Sequence, residues 1–286
     1  MTEVQEKELA VFKEIAKICE RYNLRYYAIG GTCIGAIRHQ GYIPWDDDID
    51  IAMPREDYEK FRTKYCYELP EYLHKLDCDN SKQHEYVFTK IHDSRTTHVE
   101  LYAKGLPERY TGAFVDVMPV DGLPIDETEE KKVVSKLIRL GYLNARNRPI
   151  PFNSKSLGAI AKYIVKKAGF VFFKYNHFSD KILELGSKYD YDQSKHCIFT
   201  WRAGSLDLSL ERIVFEKKWF ESTKDVAFED TIMKVPADYD AYLRQDFGDY
   251  MVLPPKEQQQ THHNVYISDM NTPCSYYAEK DKSGLK

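Results

Sequence analysis

Residues 46–50 read Asp-Asp-Asp-Ile-Asp, so four carboxylates crowd into five positions. Like charges at this spacing repel, and folding alone gives no reason to gather them. The residues around them follow a pattern: Ile49 and Ile51 alternate with Asp48 and Asp50, the period-two signature of a half-buried strand. On such a strand, residues i and i+2 share a face about 6.6–6.8 Å apart. Asp48 and Asp50 then project together while the isoleucines enter a core. Two converging carboxylates make a hard-oxygen site, and Mg²⁺ is commonly held by one or two carboxylates plus substrate phosphates. Two plainer readings stand beside this one. Most charged runs simply face water, and a run after Pro44 suits a solvated turn. A calcium loop of the EF-hand type is the other, but its glycine and glutamate spacing is missing. The apolar alternation favours a strand edge over a free loop.

The rest of the chain limits what such a site can serve. Its 286 residues are 43% hydrophobic, enough for a sizeable core, and 14% aromatic, which argues against disorder. With 41 basic and 45 acidic residues the formal charge is −4, so no nucleic-acid partner is expected. No apolar run reaches the ~18 residues of a membrane span. The opening MTEVQEKELA lacks the basic and apolar regions of a secretory signal. Cys19, Cys33, Cys66, Cys78, Cys197 and Cys274 show no CxxC spacing and read as mostly buried thiols of a cytoplasmic protein. The 22 tyrosines suit a sugar or nucleoside cleft, and fill ordinary cores equally well.

Along the chain, Thr2 and Gln5 have capping-box spacing ahead of a helix to about Tyr22, with Leu9, Phe12, Ala16 and Cys19 on one face. A short strand over Arg25–Ile29 ends at Gly30-Gly31, and Thr32 is placed to cap the helix that follows. After the acidic strand, Pro54 fits the first turn of a helix carrying Tyr58, Phe61 and Tyr65. Strands are expected over Tyr86–Ile91 and Ala113–Met118, the second stopped by Pro119. Asp126 and Glu129 open a long helix to about Arg146. Arg148–Lys155 reads as a linker, and helices follow near 156–175 and 177–188. Strand-like runs return at CIFTW, RIVFE and TIMKVP, then a helix over Asp238–Phe247. The polar tail after Pro273 is expected to be loosely ordered.

Two further features join the carboxylates. Glycines between a strand and a helix let a phosphate approach the backbone and the N–H groups of the helix N-terminus. Most Gly-Gly pairs are simply turns, but Gly30-Gly31 lies one helix and one loop before the aspartates. Asp116 stands between Val115 and Val117, so it is either buried and paired or functional.

The run GGTCIGAIRHQGYIPWDDDIDIAMPREDYEKF, Gly30 to Phe61, resembles the LicD family of phosphotransferases, which is related to fukutin-related protein. More distantly it resembles the nucleotidyltransferase superfamily, which pairs Gly-Gly with a strand Dx[DE] and a third acidic residue on a later strand. Here these are Gly30-Gly31, Asp48-x-Asp50 and Asp116. The resemblance continues through VFTKIHDSRTT around Lys90, FVDVMPVDGLP around Asp116, VPADYDAYLRQDFGDYMVLPP and His262-His263.

It implies an α+β fold, with a polymerase-β-like core of mixed sheet and flanking helices plus a helical insertion. The chain would be one unit over 1–286: core 1–125, insertion 126–190, and completing strands and helix 191–270. It implies transfer of a phospho-alcohol, phosphocholine first, from a CDP-activated donor to a sugar hydroxyl of a cell-surface glycan or teichoic acid precursor, with release of CMP. Mg²⁺ or Mn²⁺ would sit on Asp48 and Asp50, with Asp46 as an outer ligand and Asp47 pointing away. Asp116 would complete a second metal site or take the acceptor's proton. Gly30, Gly31 and Thr32 would cradle the donor, and Arg38 and Lys90 would contact phosphate. His262 and His263 are donor or acceptor contacts by resemblance, and otherwise polar loop residues. Trp45 packs in the core or offers a cation–π surface to choline. Residues 160–175, apolar and basic together, read as a core helix or as a peripheral contact with the inner membrane face, which would suit a lipid-linked acceptor. The alternatives are a true nucleotidyltransferase, a CDP-glycerol or CDP-ribitol enzyme, and a non-catalytic sensor, which would lack one of the carboxylates.

Overall fold

The computed structural model describes residues 1–81, 86–147, 173, 176–203, 212–261 and 264–283. The expected linker at 148–155, the helix near 156–175 and His262-His263 lie outside the described residues.

Helix α1 (Glu3–Arg21) starts on its capping box: the Gln5 N–H donates to Thr2 Oγ1 at 3.2 Å, and Gln5 Oε1 accepts from the Thr2 N–H at 2.8 Å. Its buried stripe of Leu9, Phe12, Ile15 and Ile18 lies against the central sheet. That sheet is mixed, in the order β1 (Tyr27–Ala28), β2 (Asp50–Pro54), β6 (Phe114–Gly122), β4 (Thr89–Asp93), β3 (Leu73–Leu76). Strands β2 and β6 run parallel, and the other neighbours antiparallel. Farther along, β6 also pairs with β7 (His196–Ile198), which pairs with β8 (Val214–Glu216). The expected α+β class and mixed sheet are present.

Every residue of β6 is buried, and Pro119 does not stop it. The Asp116 N–H points toward β2, donating to Ile49 O at 3.0 Å, so odd-numbered residues of β6 face the opposite side. On that side β4 pairs only as far as Val117, and β7 begins at Asp121. Proline's missing donor therefore falls in the gap between two partners, where nothing needs it.

Helix α2 (Gly30–Arg38) joins β1 toward β2, and α3 (Arg55–Thr63) leaves β2 directly, burying Tyr58 and Phe61. At its first residue the Arg55 guanidinium grips fully buried Asp121 on β6, Nε–Oδ1 2.5 Å and Nη2–Oδ2 2.9 Å. Thr200 Oγ1 donates to the same carboxylate at 2.6 Å. Helices α4 (Glu127–Asn147) and α5 (His177–Gly186) pack in a second cluster around Leu137, Phe178 and Ile182, and Asp126 caps α4 through the Glu129 N–H.

Two expectations shift, and TIMKVP is a strand as expected, with a partner the sequence did not announce. The strand expected at Tyr86–Ile91 begins at Thr89 and runs to Asp93. TIMKVP is one arm of a hairpin, β9 (Thr223–Phe228) with β10 (Thr231–Pro236), whose polar first arm hides its period, and α6 (Tyr239–Phe247) follows. The tail after Pro273 is ordered as α7 (Cys274–Ser283), because β11 (Val265–Asp269) pairs with β5 (Thr97–Glu100) and buries Cys274 against Val99, Ala103 and Tyr110. All six cysteines are free, and all but Cys78 are buried.

On β4, the buried His92 ring accepts the Gly112 N–H at Nδ1, 3.2 Å, which requires a neutral acceptor nitrogen. Burial, helped by His74, pushes its pKa from 6.5 down to about 3. A base depressed on folding contributes stability above its unfolded pKa, and that stability is lost as pH falls from about 6.5 toward 3. The slope is about 1.4 kcal/mol per pH unit. Urea unfolding at pH 6.5 and pH 5 should show the wild type losing about 2 kcal/mol more than His92→Asn, which keeps an acceptor and cannot titrate.

Candidate active site

Strand register builds the site. Asp50 on β2 lies opposite Asp116 on β6, and Asp116 lies opposite Lys90 on β4. In-register neighbours share a face, so Asp50, Asp116 and Lys90 form a row across three adjacent strands. Lys90 Nζ is 2.9 Å from each carboxylate oxygen of Asp116 and 3.7 Å from Glu100 Oε2. It also lies 3.6 Å from the ring centre of Phe114. Burial works against the Lys90 charge, but Asp116 and Glu100 outweigh it and raise the ammonium's pKa. Burial pushes Asp116 up to about 6, against the pull of Lys90 and with Glu100 and Asp48 adding to the rise.

Asp50 is held by its backbone. Its N–H donates to Thr32 Oγ1 at 2.8 Å, and its carbonyl accepts the Ile29 N–H at 3.2 Å. Its Oδ1 is buried without a hydrogen-bond partner. Burial, then the charges of Asp48, Asp116 and Asp46, raise its carboxyl well above the usual range. Asp48 precedes β2 and is half-buried. The carbonyl of Asp46 accepts Gln5 Nε2 from α1 at 2.7 Å, while Asp47 Oδ1 accepts Thr261 Oγ1 at 2.6 Å. The acidic run is thus clamped by α1 and by the segment leading to β11.

The glycine pair meets these carboxylates directly. Gly30 has φ +57°, a conformation that favours glycine, and its N–H donates to Tyr242 Oη on α6 at 2.9 Å. A side chain at Gly31 would run into the carboxylate of Asp46. The first turn of α2 therefore faces one of the protein's own anions, a favourable placement at a helix N-terminus. Thr32 is not the cap expected from the sequence. The helix opens at Gly30 with Ile29 as its uncapped boundary, and the Thr32 hydroxyl is used on Asp50.

Arg38 sits at the other end of α2, about 12 Å along the helix from Gly30. Its Nη1 donates to the carbonyls of Tyr250 at 2.5 Å and Val252 at 3.5 Å. The structure therefore brings together Gly30, Gly31, Thr32, Asp46, Asp48, Asp50, Lys90 and Asp116, and leaves Arg38 apart. Lys90 is directed at Asp116. Trp45 is half-buried and packs on the main core. The sequence reading missed Gln5, Glu100, Thr261 and Tyr242. Each meets the site only through contacts between segments separated in sequence.

Among the described residues, no three His, Cys, Asp or Glu side chains are grouped so as to hold a metal ion by themselves. Asp50 and Asp116, in register and each with one buried oxygen that accepts no hydrogen bond, fit the other arrangement, in which two carboxylates leave the remaining positions to phosphate and water.

A family model described as "LicD/FKTN/FKRP, nucleotidyltransferase domain" matches residues 23–118, a span containing Asp48, Asp50, Lys90 and Asp116. The chain is 31% identical over 253 residues to the lipopolysaccharide cholinephosphotransferase LicD of Haemophilus influenzae, a match covering 86% of this chain and 89% of that protein. Shorter matches are to an uncharacterized protein of Rickettsia typhi, 38% identical over 61 residues and 20% of each chain, and to one of Rickettsia prowazekii, 43% identical over 47 residues, 16% of this chain and 18% of that protein.

The two glycines predict different outcomes on substitution. Gly30→Ala forces a side chain into the left-handed region and should cost about 1–2 kcal/mol in urea unfolding. Gly31→Ala gains helix propensity and meets only the tip of Asp46, so its stability should stay within about 1 kcal/mol of wild type. A crystal structure of that variant should show the Asp46 carboxylate turned off the first turn of α2.

Proposed function

Because the chain belongs to the LicD family, we propose that it transfers phosphocholine from CDP-choline to a sugar hydroxyl of a glycan acceptor, using Mg²⁺ or Mn²⁺ at Asp50 and Asp116. The observation that carries this reading is the row Asp50–Asp116–Lys90 with the unpartnered buried oxygen of Asp50. The Haemophilus influenzae relative, matched over 86% of this chain, is a lipopolysaccharide cholinephosphotransferase, which favours this donor group and a lipid-linked glycan. A lipid-linked acceptor would bring the enzyme to the inner face of the membrane.

The acceptor oxygen forms a bond to the phosphorus bearing choline, the pyrophosphate P–O bond breaks, and CMP leaves. A divalent cation, when bound at the carboxylates, would supply charge neutralisation for the pyrophosphate. Asp50 and Asp116 would hold it, with Asp48 adjacent. Thr32 fixes the backbone that aims Asp50, and Tyr242 holds the turn at Gly30 on which α2 begins. Lys90 holds a positive charge next to the row in a buried setting, where it would act on phosphate oxygens more strongly than it would in water. The hydroxyl proton passes to a carboxylate of the row. The family's nucleotidyltransferase domain favours a second reading, nucleotidyl transfer, in which the nucleotide rather than phosphocholine stays on the acceptor. Mass analysis of the product separates the two.

In a thermal-shift panel of CDP-choline, CDP-glycerol and CDP-ribitol, CDP-choline with Mg²⁺ should give the largest rise in Tm. At a hundred times its Kd it would add about 2.7 kcal/mol, and EDTA should remove the gain. Asp50→Asn and Asp116→Asn should each lower phosphocholine transfer by about a hundredfold or more. Asp50→Asn should also raise the metal-free Tm, since it removes a buried charge among like charges. Normal turnover in either variant would sink the mechanism.

A further inference from the structure

Lys90 is more than a neighbour of Asp116. Its ammonium is buried and sits between two carboxylates, 2.9 Å from Asp116 and 3.7 Å from Glu100. Aromatic rings surround it: Phe114 at 3.6 Å, Phe88 at 5.7 Å and Tyr86 at 5.8 Å. Glu100 is itself oriented, because Tyr102 Oη donates to its Oε2 at 2.8 Å. Such rings offer their negative faces to a cation without fixing it to one oxygen. The ammonium therefore has two anionic seats within a shift of about 1 Å, in a box that keeps it charged on either. Asp116 is also the carboxylate that a divalent ion would need, and the ammonium now occupies it.

We propose that Lys90 is an internal cation holding Asp116 until a divalent ion takes that carboxylate, and that Glu100 is the positioning residue that receives Lys90 when it moves. This rests on the divalent-cation reading above. A buried carboxylate without a counter-charge is costly, so a site built for a dissociable metal needs something to balance Asp116 when the metal is absent. Lys90 meets that need in the metal-free protein. Once displaced it stays in the same box, paired with Glu100. The competition has a sign: Lys90 opposes metal binding at Asp116, and Glu100 assists it by drawing Lys90 away.

The test is Mn²⁺ and Mg²⁺ affinity of the full chain, by calorimetry, for wild type, Lys90→Met, Glu100→Gln and the double variant, with Tm recorded for each. Lys90→Met should bind the metal about tenfold more tightly and Glu100→Gln about tenfold more weakly. The deciding feature is coupling. If Glu100 acts by receiving Lys90, the Glu100→Gln effect largely disappears in the Lys90→Met background. Additive effects would mean that Glu100 acts only through its own charge and would overturn the proposal, as would weaker binding in both single variants. Should Lys90→Met fail to fold, a crystal structure of the wild type with Mn²⁺ decides the matter. Lys90 Nζ should then lie nearer Glu100 than Asp116, and an ammonium still seated on Asp116 would overturn the proposal. Wild type that binds neither metal would remove the divalent-cation reading itself, whereas metal binding without coupling would leave that reading standing and remove this one.

Discussion

Strand β2 runs parallel to β6 in the register that sets Asp50 opposite Asp116, and the arrangement of the site depends on that pairing. A slip of one residue would turn Asp50 toward the core and bring Ile49 and Ile51 out beside Asp116. Several interactions far apart in sequence hold the register. Ile49 and Ile51 are fully buried, so the apolar face admits only one phase. Thr32 takes the Asp50 N–H at the start of the strand. At its end, Arg55 anchors the following helix to Asp121 on the same β6. The Arg55–Asp121 pair is bidentate, buried and completed by Thr200, the conditions under which an ion pair repays its desolvation.

The register concentrates charge that the fold must tolerate. Asp46, Asp48, Asp50 and Asp116 lie close enough to raise the Asp50 carboxyl, and the only positive side chain among the causes of that shift is Lys90, which opposes it. Other residues manage the remainder without adding charge. The N-terminal turn of α2 faces Asp46, Thr261 donates to Asp47, and Gln5 fixes the carbonyl of Asp46. The tension at Asp50 marks a place where the fold gives up stability, as the cation-binding role proposed above would require.

The parts of this legible in the sequence were those carried by local periodicity or by a compact motif. Alternation at Ile49 and Ile51 gave the strand and the facing of Asp50. Thr2 and Gln5 gave the start of α1, and the valines around Asp116 marked it as buried and unusual. Elements whose reason lies in a distant partner were not legible. Pro119 reads as a stop because its tolerated gap depends on where β4 ends and β7 begins. Gly31 reads as a phosphate turn, yet what presses on it is the Asp46 side chain. Arg38, placed by sequence between the glycines and the aspartates, is carried by one helix to the far end, where main-chain carbonyls take its guanidinium. The tail after Pro273 is polar by composition and still helical, since β11 supplies a surface for it.

The clamps also bear on how much of the chain the site needs. The family match spans residues 23–118 and contains all the carboxylates of the row. Gln5, Thr200, Tyr242 and Thr261 lie outside that span, and each touches a residue that positions the row or belongs to the acidic run. Removing them would leave the carboxylates present in sequence but their loop unclamped at Asp46 and Asp47, the turn at Gly30 unsupported, and Asp121 short of a donor. A site of this kind tolerates errors of only about 0.5 Å in its supporting shell. The similarity to the Haemophilus influenzae protein runs over 86% of the chain rather than over the motif alone. That breadth is what the geometry requires, because the segments that position the site come from both ends of the sequence.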